Sequence, residues 1–295
     1  MVLKFKQIAW NGIQFSIPIT WELGWVDSNH LTFHKNSIPA MEIKWGPIKG
    51  RFSHHSQLKA ITKGQKTHSG KKIIKWQLPP TWQQALATYY SQGFCWQRDA
   101  NSGHGATLYC PVCKNAIILQ LFDMRNRLTD PGVLQFLQTL SDHREDGCTT
   151  WQLFEIQAKL PRSLRLNHYH FKPGNHELAL SNRFMTLRLY RWAPASALLS
   201  NTSLAAFVAD TLGRNIEQLQ QTSQHGYPAV EWHNHEKSGW LGRLQRFSIR
   251  PAFTWLFVWH LEAHNRIMGI NLESKKPLEP NQMAQISDNF QLNLS

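Results

Sequence analysis

Two long stretches of this 295-residue chain echo one another, and a long-period repeat constrains architecture more than any single motif does. Trp10-Asn-Gly-Ile-Gln-Phe-Ser-Ile-Pro18 recurs as Trp151-Gln-Leu-Phe-Glu-Ile-Gln-Ala-Lys-Leu-Pro161. Trp21 and Leu23 then match Leu164 and Leu166, and residues 30–33 match 177–180. Trp45-Gly-Pro47 matches Trp192-Ala-Pro194, and 56–61 matches 202–207. Finally 73–76 matches 229–232, and 109–115 matches 259–265. The order holds while the spacing drifts, as loop insertions produce. The expected domains are therefore 1–145 and 146–295, meeting in the charged, Gly-containing stretch 142–150, which reads as a linker.

Within one copy, alternation at Ile13, Phe15 and Ile17 predicts a strand ended by Pro18. Further strands are predicted at 31–33, 41–45, 73–76, 94–97, 106–109 and 116–122, with a helix at 56–61. A short helix at 81–90 belongs to the first copy alone. The second copy's helix at 203–212 has Ser203 as its cap and Leu204, Phe207, Val208 and Leu212 on one face. Closing helices are predicted at 131–140 and 280–290. The expected fold class is α+β: two tandem antiparallel sheets with helices packed on them, related by a pseudo-two-fold.

Ile17-Pro18 followed by Trp21, the strand Gly226-Tyr-Pro-Ala-Val230, the strand pair through 265–272 and the helix ending Ile286-Ser-Asp-Asn-Phe290 resemble PsbP-like domains. The first copy departs from that pattern, lacking the Gly-x-Pro start of the strand and carrying extra residues before Cys110. The resemblance implies a scaffold shared by the extrinsic P subunit of photosystem II, a Ran-binding nuclear import factor, and bacterial lipoproteins and chaperones. Eag-type chaperones of type VI secretion shield effector transmembrane segments as dimers. A two-copy chain would then mimic such a dimer and use a surface or groove formed by its repeated domains.

The formal net charge is +13, and its placement matters more than its size. From Ile43 to Arg98 there is no Asp or Glu, while Lys59, Lys63, Lys66, Lys71, Lys72 and Lys75 fall within this stretch. Those six lysines are the candidate polyanion-binding residues, for nucleic acid or another anion. No segment approaches the roughly 20 apolar residues of a membrane span, and no signal peptide is evident at the N-terminus, so a cytoplasmic location is expected. The cysteines should then be thiols or metal ligands.

Cys110-Pro-Val-Cys113 is the sharpest local motif, because two thiolates at this spacing chelate zinc when two more ligands stand near. Cys95, His104 and Cys148 are the candidates for the remainder. A hairpin turn centred on Asn101 would put Cys95 opposite Thr107, about 10 Å from Cys110 along the strand. Small residues in a turn, or thiols buried as hydrophobes, are the alternatives. His260, Glu262 and His264 would share a face on a strand and diverge on a turn. His168, His170 and His176 form another set.

Among the 13 tryptophans, Trp10, Trp21, Trp45, Trp76, Trp151, Trp192 and Trp232 fit core packing. Trp82, Trp96, Trp240, Trp255 and Trp259, with Tyr89 and Tyr90, would form a binding face. No phosphate loop, nucleophile elbow or His-Glu-x-x-His motif is present, so the expectation is a non-catalytic binding or adaptor protein with a protein partner and no cofactor. Polyanion binding is the first alternative. A zinc-binding protein or metal-dependent enzyme is the second.

Overall fold

The computed structural model describes residues 3–63, 72–98, 101–122, 129–143, 146–234 and 252–293. The chain divides into two compact units, Met1–Asp146 and Gly147–Leu294.

In the first unit, hairpin strands β1 (Phe5–Trp10) and β2 (Ile13–Pro18) are joined by Asn11-Gly12, both at positive φ (44° and 88°), the two-residue loop that matches strand twist. Seven antiparallel strands follow. Their order across the sheet is β3 (Trp21–Asp27), β4 (His30–Lys35), β5 (Ile38–Pro47), β9 (Asn115–Phe122), β8 (Asn101–Tyr109), β7 (Tyr90–Arg98) and β6 (Lys72–Trp76). Period-2 alternation sends Ile117, Leu119 and Leu121 of β9 to the core beside Trp45, Ile43 and Met41 of β5. Phe15 from the hairpin packs edge-on to Phe33 at 5.8 Å and to Phe136 at 4.9 Å. Phe136 belongs to α3 (Pro131–Thr139), which starts where the Asp130 carboxylate accepts the Gly132 N–H at 2.7 Å. The shorter α2 (Pro80–Ala85) and the helix α1 (His54–Lys63) complete the unit.

The second unit begins with β10 (Cys148–Leu153) and β11 (Ile156–Pro161), to which β19 (Phe290–Leu292) adds. Its seven-stranded antiparallel sheet runs β12 (Arg165–Lys172), β13 (Asn175–Ser181), β14 (Met185–Trp192), β18 (Arg266–Ser274), β17 (Phe253–Leu261), β16 (Tyr227–Asn234) and β15 (Gln220–Gln224). Position by position this is the strand order of the first sheet. Helix α5 (Leu204–Leu212), reached through α4 (Ala195–Leu198), is capped by the Ser203 hydroxyl on Ala206 N–H and ends at Gly213 with φ 63°. It lays Val208 and Phe207 on Tyr190, Trp192, Leu256 and Val258. Helix α6 (Pro280–Asp288) closes the unit.

The expected α+β class with helices laid on PsbP-like sheets is overturned. Strand outweighs helix, 53% against 20%, and large antiparallel sheets form the molecule. The strands that sequence reading passed over explain the difference. β15 is Gln-Gln-Thr-Ser-Gln, and β3 exposes residues on both faces; both are edge strands, so neither shows the alternation of a half-buried one.

Three sequence matches also shift. Residues 73–76 lie in β6, whose counterpart by strand order is β15, whereas 229–232 lie in β16, the counterpart of β7. Leu153, not Trp151, ends its strand as Trp10 does. Trp45 donates its indole N–H to the Asn11 carbonyl in the first hairpin turn, and Arg191 donates to Glu155 in the second. Trp192 instead lies under α5, so the Trp45–Trp192 match is one residue out and places the rings on opposite faces.

Candidate functional site

A cluster of two thiols, a carboxylate and an imidazole forms in the first unit. The turn from Cys110 to Lys114 links β8 to β9. It is closed by Cys110 N–H on the Asn115 carbonyl (2.9 Å) and Lys114 N–H on the Cys110 carbonyl (3.0 Å), with Lys114 at φ 58°. This winding puts both sulfurs on one side. Opposite them, the chain leaving α3 is pinned by a two-bond bridge between Ser141 and Gln14 of β2, which fixes Asp142 and His143. The Cys113 thiol donates to Asp142 Oδ2 at 2.7 Å. His143 Nδ1 lies 2.9 Å from Asp142 Oδ1 and 3.5 Å from Cys110 Sγ. The Tyr89 hydroxyl donates to Asp142 Oδ1 at 3.3 Å and to the Leu140 carbonyl at 3.4 Å. One ligand-type atom from each of Cys110, Cys113, Asp142 and His143 lies within 4.8 Å of all the others.

The cluster is buried on the side of Cys110 and Asp142 and open on the side of His143. Cys110 is 1% exposed, the Asp142 side chain 1% and the His143 side chain 30%. Burial pushes the Cys113 thiol well above its ordinary pKa, and the Asp142 hydrogen bond adds to this. Burial, then the Asp142 charge and the neighbouring sulfurs, push Tyr89 up likewise. The Cys113 thiol is therefore held protonated unless a cation displaces its proton.

The other expected ligands go elsewhere. Cys95 pairs across the sheet with His104, not with Thr107, because the β7–β8 register closes between Arg98 and Asn101. Cys148 opens β10 of the second unit and lines a cavity of ≈ 340 Å³ there with Lys159, Pro161, Met185, Gln285 and Asn289. His260 is the last residue but one of β17, while Glu262 and His264 fall on a 3₁₀ turn, exposed, so that set diverges. His168 and His170 lie on β12, while His176 on β13 is buried against Phe154 and Phe171. Asp142 and His143 fall in the stretch 142–150 that the sequence marks as a linker. Their one sequence signal is an Asp-His pair directly after the apolar helix that packs the core.

The proposed aromatic binding face is mostly interior: Trp82, Trp96, Trp255, Trp259 and Tyr89 are all buried. Trp240 lies outside the described residues. Among the described residues of that set, Tyr90 alone is open, at 64%. It stacks on Tyr109, which stacks on Phe52, with both pairs tilted by 13°, so three rings make one plate. Val112, in the thiol turn that follows Tyr109, is 72% exposed. Of the candidate lysines, Lys59 is exposed on α1 and Lys75 on β6. Lys63 ends α1 and Lys72 begins β6, and Lys66 and Lys71 lie outside the described residues. The imidazole of His54 is held below its ordinary pKa by burial and then by Lys75.

In the second unit the Glu155 carboxylate in the β10–β11 turn accepts from Arg191 and from Arg266, whose Nε and Nη2 lie at 2.6 and 2.9 Å. The Arg266 hydrogen bond, then that of Arg191, hold Glu155 near pKa 2 against the opposing effect of burial.

No protein-family model and no curated protein matches the chain. Solved structures do. One is the apo structure of the immunity protein TplEi of the type VI secretion system from Pseudomonas aeruginosa, at 8% identity and TM-score 0.33, covering 98% of this chain and 97% of that one. Another is a chain of the Tle4–Tli4 complex, at 8% identity and TM-score 0.32 over the same shares. Likeness this distant carries no argument about function. Among the described residues, no helix is long and apolar enough to cross a membrane.

Proposed function

We propose that this chain is a non-catalytic binding protein whose partner is a protein surface carrying acidic and apolar side chains, docked on the plate of Phe52, Tyr109 and Tyr90. The observation that carries this is the exposure of Tyr90 (64%) and Val112 (72%) at one end of the first sheet. Large apolar groups set in polar surroundings mark interaction sites, and tyrosine is a preferred anchor there. Lys49, Arg51 and Lys114 stand exposed beside these groups in the chain, which favours an acidic partner over a basic one. The matching strand order of the two units supports their descent from one doubled domain, of which the first carries the plate.

The test is a photo-crosslinking residue in place of Val112, expressed in the native cell. One saturable protein adduct is expected, competed by unmodified chain and lost when Tyr90→Ala is added. A nuclease-sensitive adduct in its place would transfer the reading to nucleic acid. Label spread over many proteins without saturation would end the docking reading.

A further inference from the structure

We propose that Cys110, Cys113, Asp142 and His143 form a structural zinc site closing the base of the β8–β9 turn. The donor set suits a borderline-soft divalent ion, combining two sulfurs, one imidazole nitrogen and one carboxylate oxygen. Bond lengths of about 2.3 Å to sulfur and about 2.0–2.2 Å to nitrogen and oxygen set tetrahedral edges of ~3.3–3.8 Å. The Cys110 Sγ to His143 Nδ1 separation is already 3.5 Å, and all four atoms lie within 4.8 Å of one another. The Cys113–Asp142 and His143–Asp142 separations, 2.7 and 2.9 Å, are hydrogen-bond lengths and would open by a fraction of an ångström around an ion.

Charge points the same way. A carboxylate 1% exposed needs strong compensation, yet the Asp142 partners are a thiol, a phenol and an imidazole, none of them a fixed cation. A divalent ion supplies it. Binding releases the protons of both thiols and any proton on His143 Nδ1 to solvent, leaving two thiolates, one carboxylate and a neutral ring around a 2+ ion, net −1. Tyr89 then serves as the outer hydrogen bond that orients Asp142. The site is four-coordinate from protein alone, so it holds structure and leaves no open position for chemistry.

The experiment uses the full chain, stripped with chelator in reducing buffer and titrated with Co²⁺ and then Zn²⁺. One equivalent of cobalt should give a thiolate charge-transfer band and the d–d bands of a tetrahedral ion, and one equivalent of zinc should bleach both. Zinc should raise the melting temperature and chelator should lower it again. Cys113→Ser should weaken the charge-transfer band. His143→Asn, at a half-exposed position that tolerates change, should reduce zinc affinity at least tenfold while the chain stays folded. Absence of a band, zinc affinity and charge-transfer intensity unchanged in both variants, or a melting temperature indifferent to metal would each overturn the site.

Discussion

Cys113 Sγ lies 2.7 Å from Asp142 Oδ2, joining the β8–β9 turn to the chain just past α3 across 29 residues of sequence. The bond ties two segments that have no ladder in common, and it sets how the thiol titrates. In metal-free protein, Cys113 should react with iodoacetamide far more slowly at pH 8 than the unfolded chain does. Asp142→Asn should speed the reaction only in part, because burial is the larger cause of the raised pKa. The stability sign follows: a folded pKa above the unfolded value of about 8.5 means the contribution is intact below pH 8 and falls as pH rises beyond it. Alkylation rates followed by mass spectrometry, with urea melts at pH 7 and 9.5, check both statements.

Glycine serves the sheets by its missing side chain. A Cβ on Gly269 would stand 2.7 Å from Trp192 Cζ3 and 3.4 Å from Val258 Cγ2, touching side chains alone. Gly269→Ala should therefore cost about 1–3 kcal/mol by overpacking. Trp192→Leu should cost about 2–4 kcal/mol through the space it leaves. The double variant should be more stable than the sum of the two losses predicts, since the smaller Leu makes room for the methyl group. Gly105→Ala has no such rescue through Phe94, because its Cβ would also meet the Leu119 carbonyl at 2.3 Å. Denaturant midpoints of the four proteins decide this.

A strand with one face inward was readable from alternation, as Ile13, Phe15 and Ile17 all bury, and β9 was readable from its apolar run, which buries Ala116, Ile117, Leu119 and Leu121. Helix α5 was readable from its Ser203 cap and the apolar positions behind it. Edge strands such as β15 were not, because their residues are chosen by solvent and leave no period to read. Register was harder still. Trp45 and Trp192 look equivalent in a string of letters, but a one-residue slip turns one to the hairpin and the other to α5. Cys110 and Cys113 were legible as a pair from spacing alone. Asp142 and His143 reach them only through the Ser141–Gln14 bridge, a tertiary contact that no local pattern encodes.

Acid should lower the stability of the second unit along two limbs. Burial, then the Arg191 charge, lower His176 from 6.5 to about 4, and the arginine hydrogen bonds lower Glu155 from 4.5 to about 2. In both cases the unfolded chain binds more protons than the folded one. Stability therefore falls between about pH 6.5 and 4 for His176, and between about pH 4.5 and 2 for Glu155. The Glu155 side chain is 27% exposed, so screening reduces its share to about 1–2 kcal/mol. His176→Phe, which fits among Phe154 and Phe171, should flatten the upper limb and leave the lower. Glu155→Gln should flatten the lower limb while lowering stability at pH 7, since Arg191 is 6% exposed and loses its counter-charge. Melting temperatures from pH 2 to 7 separate the limbs.

The aromatic plate leads to a last prediction, which separates docking from folding. Tyr90 is 64% exposed at the first position of β7, so Tyr90→Ala should leave the melting temperature within a degree or two. The same change should weaken the crosslinked partner by at least tenfold, because an anchoring tyrosine contributes about 2 kcal/mol or more where it is covered. Lys114→Glu and Arg51→Glu should act differently. They reverse charge at the rim, so they should slow association and remove most of its salt dependence while changing dissociation little. Phe52→Leu should fall between the two, because Phe52 both stacks on Tyr109 and packs at 4.7 Å against His54 at the start of α1. Surface plasmon resonance on the identified partner at two salt concentrations reads all four. Equal effects of Tyr90→Ala and Lys114→Glu on dissociation would place the contact elsewhere.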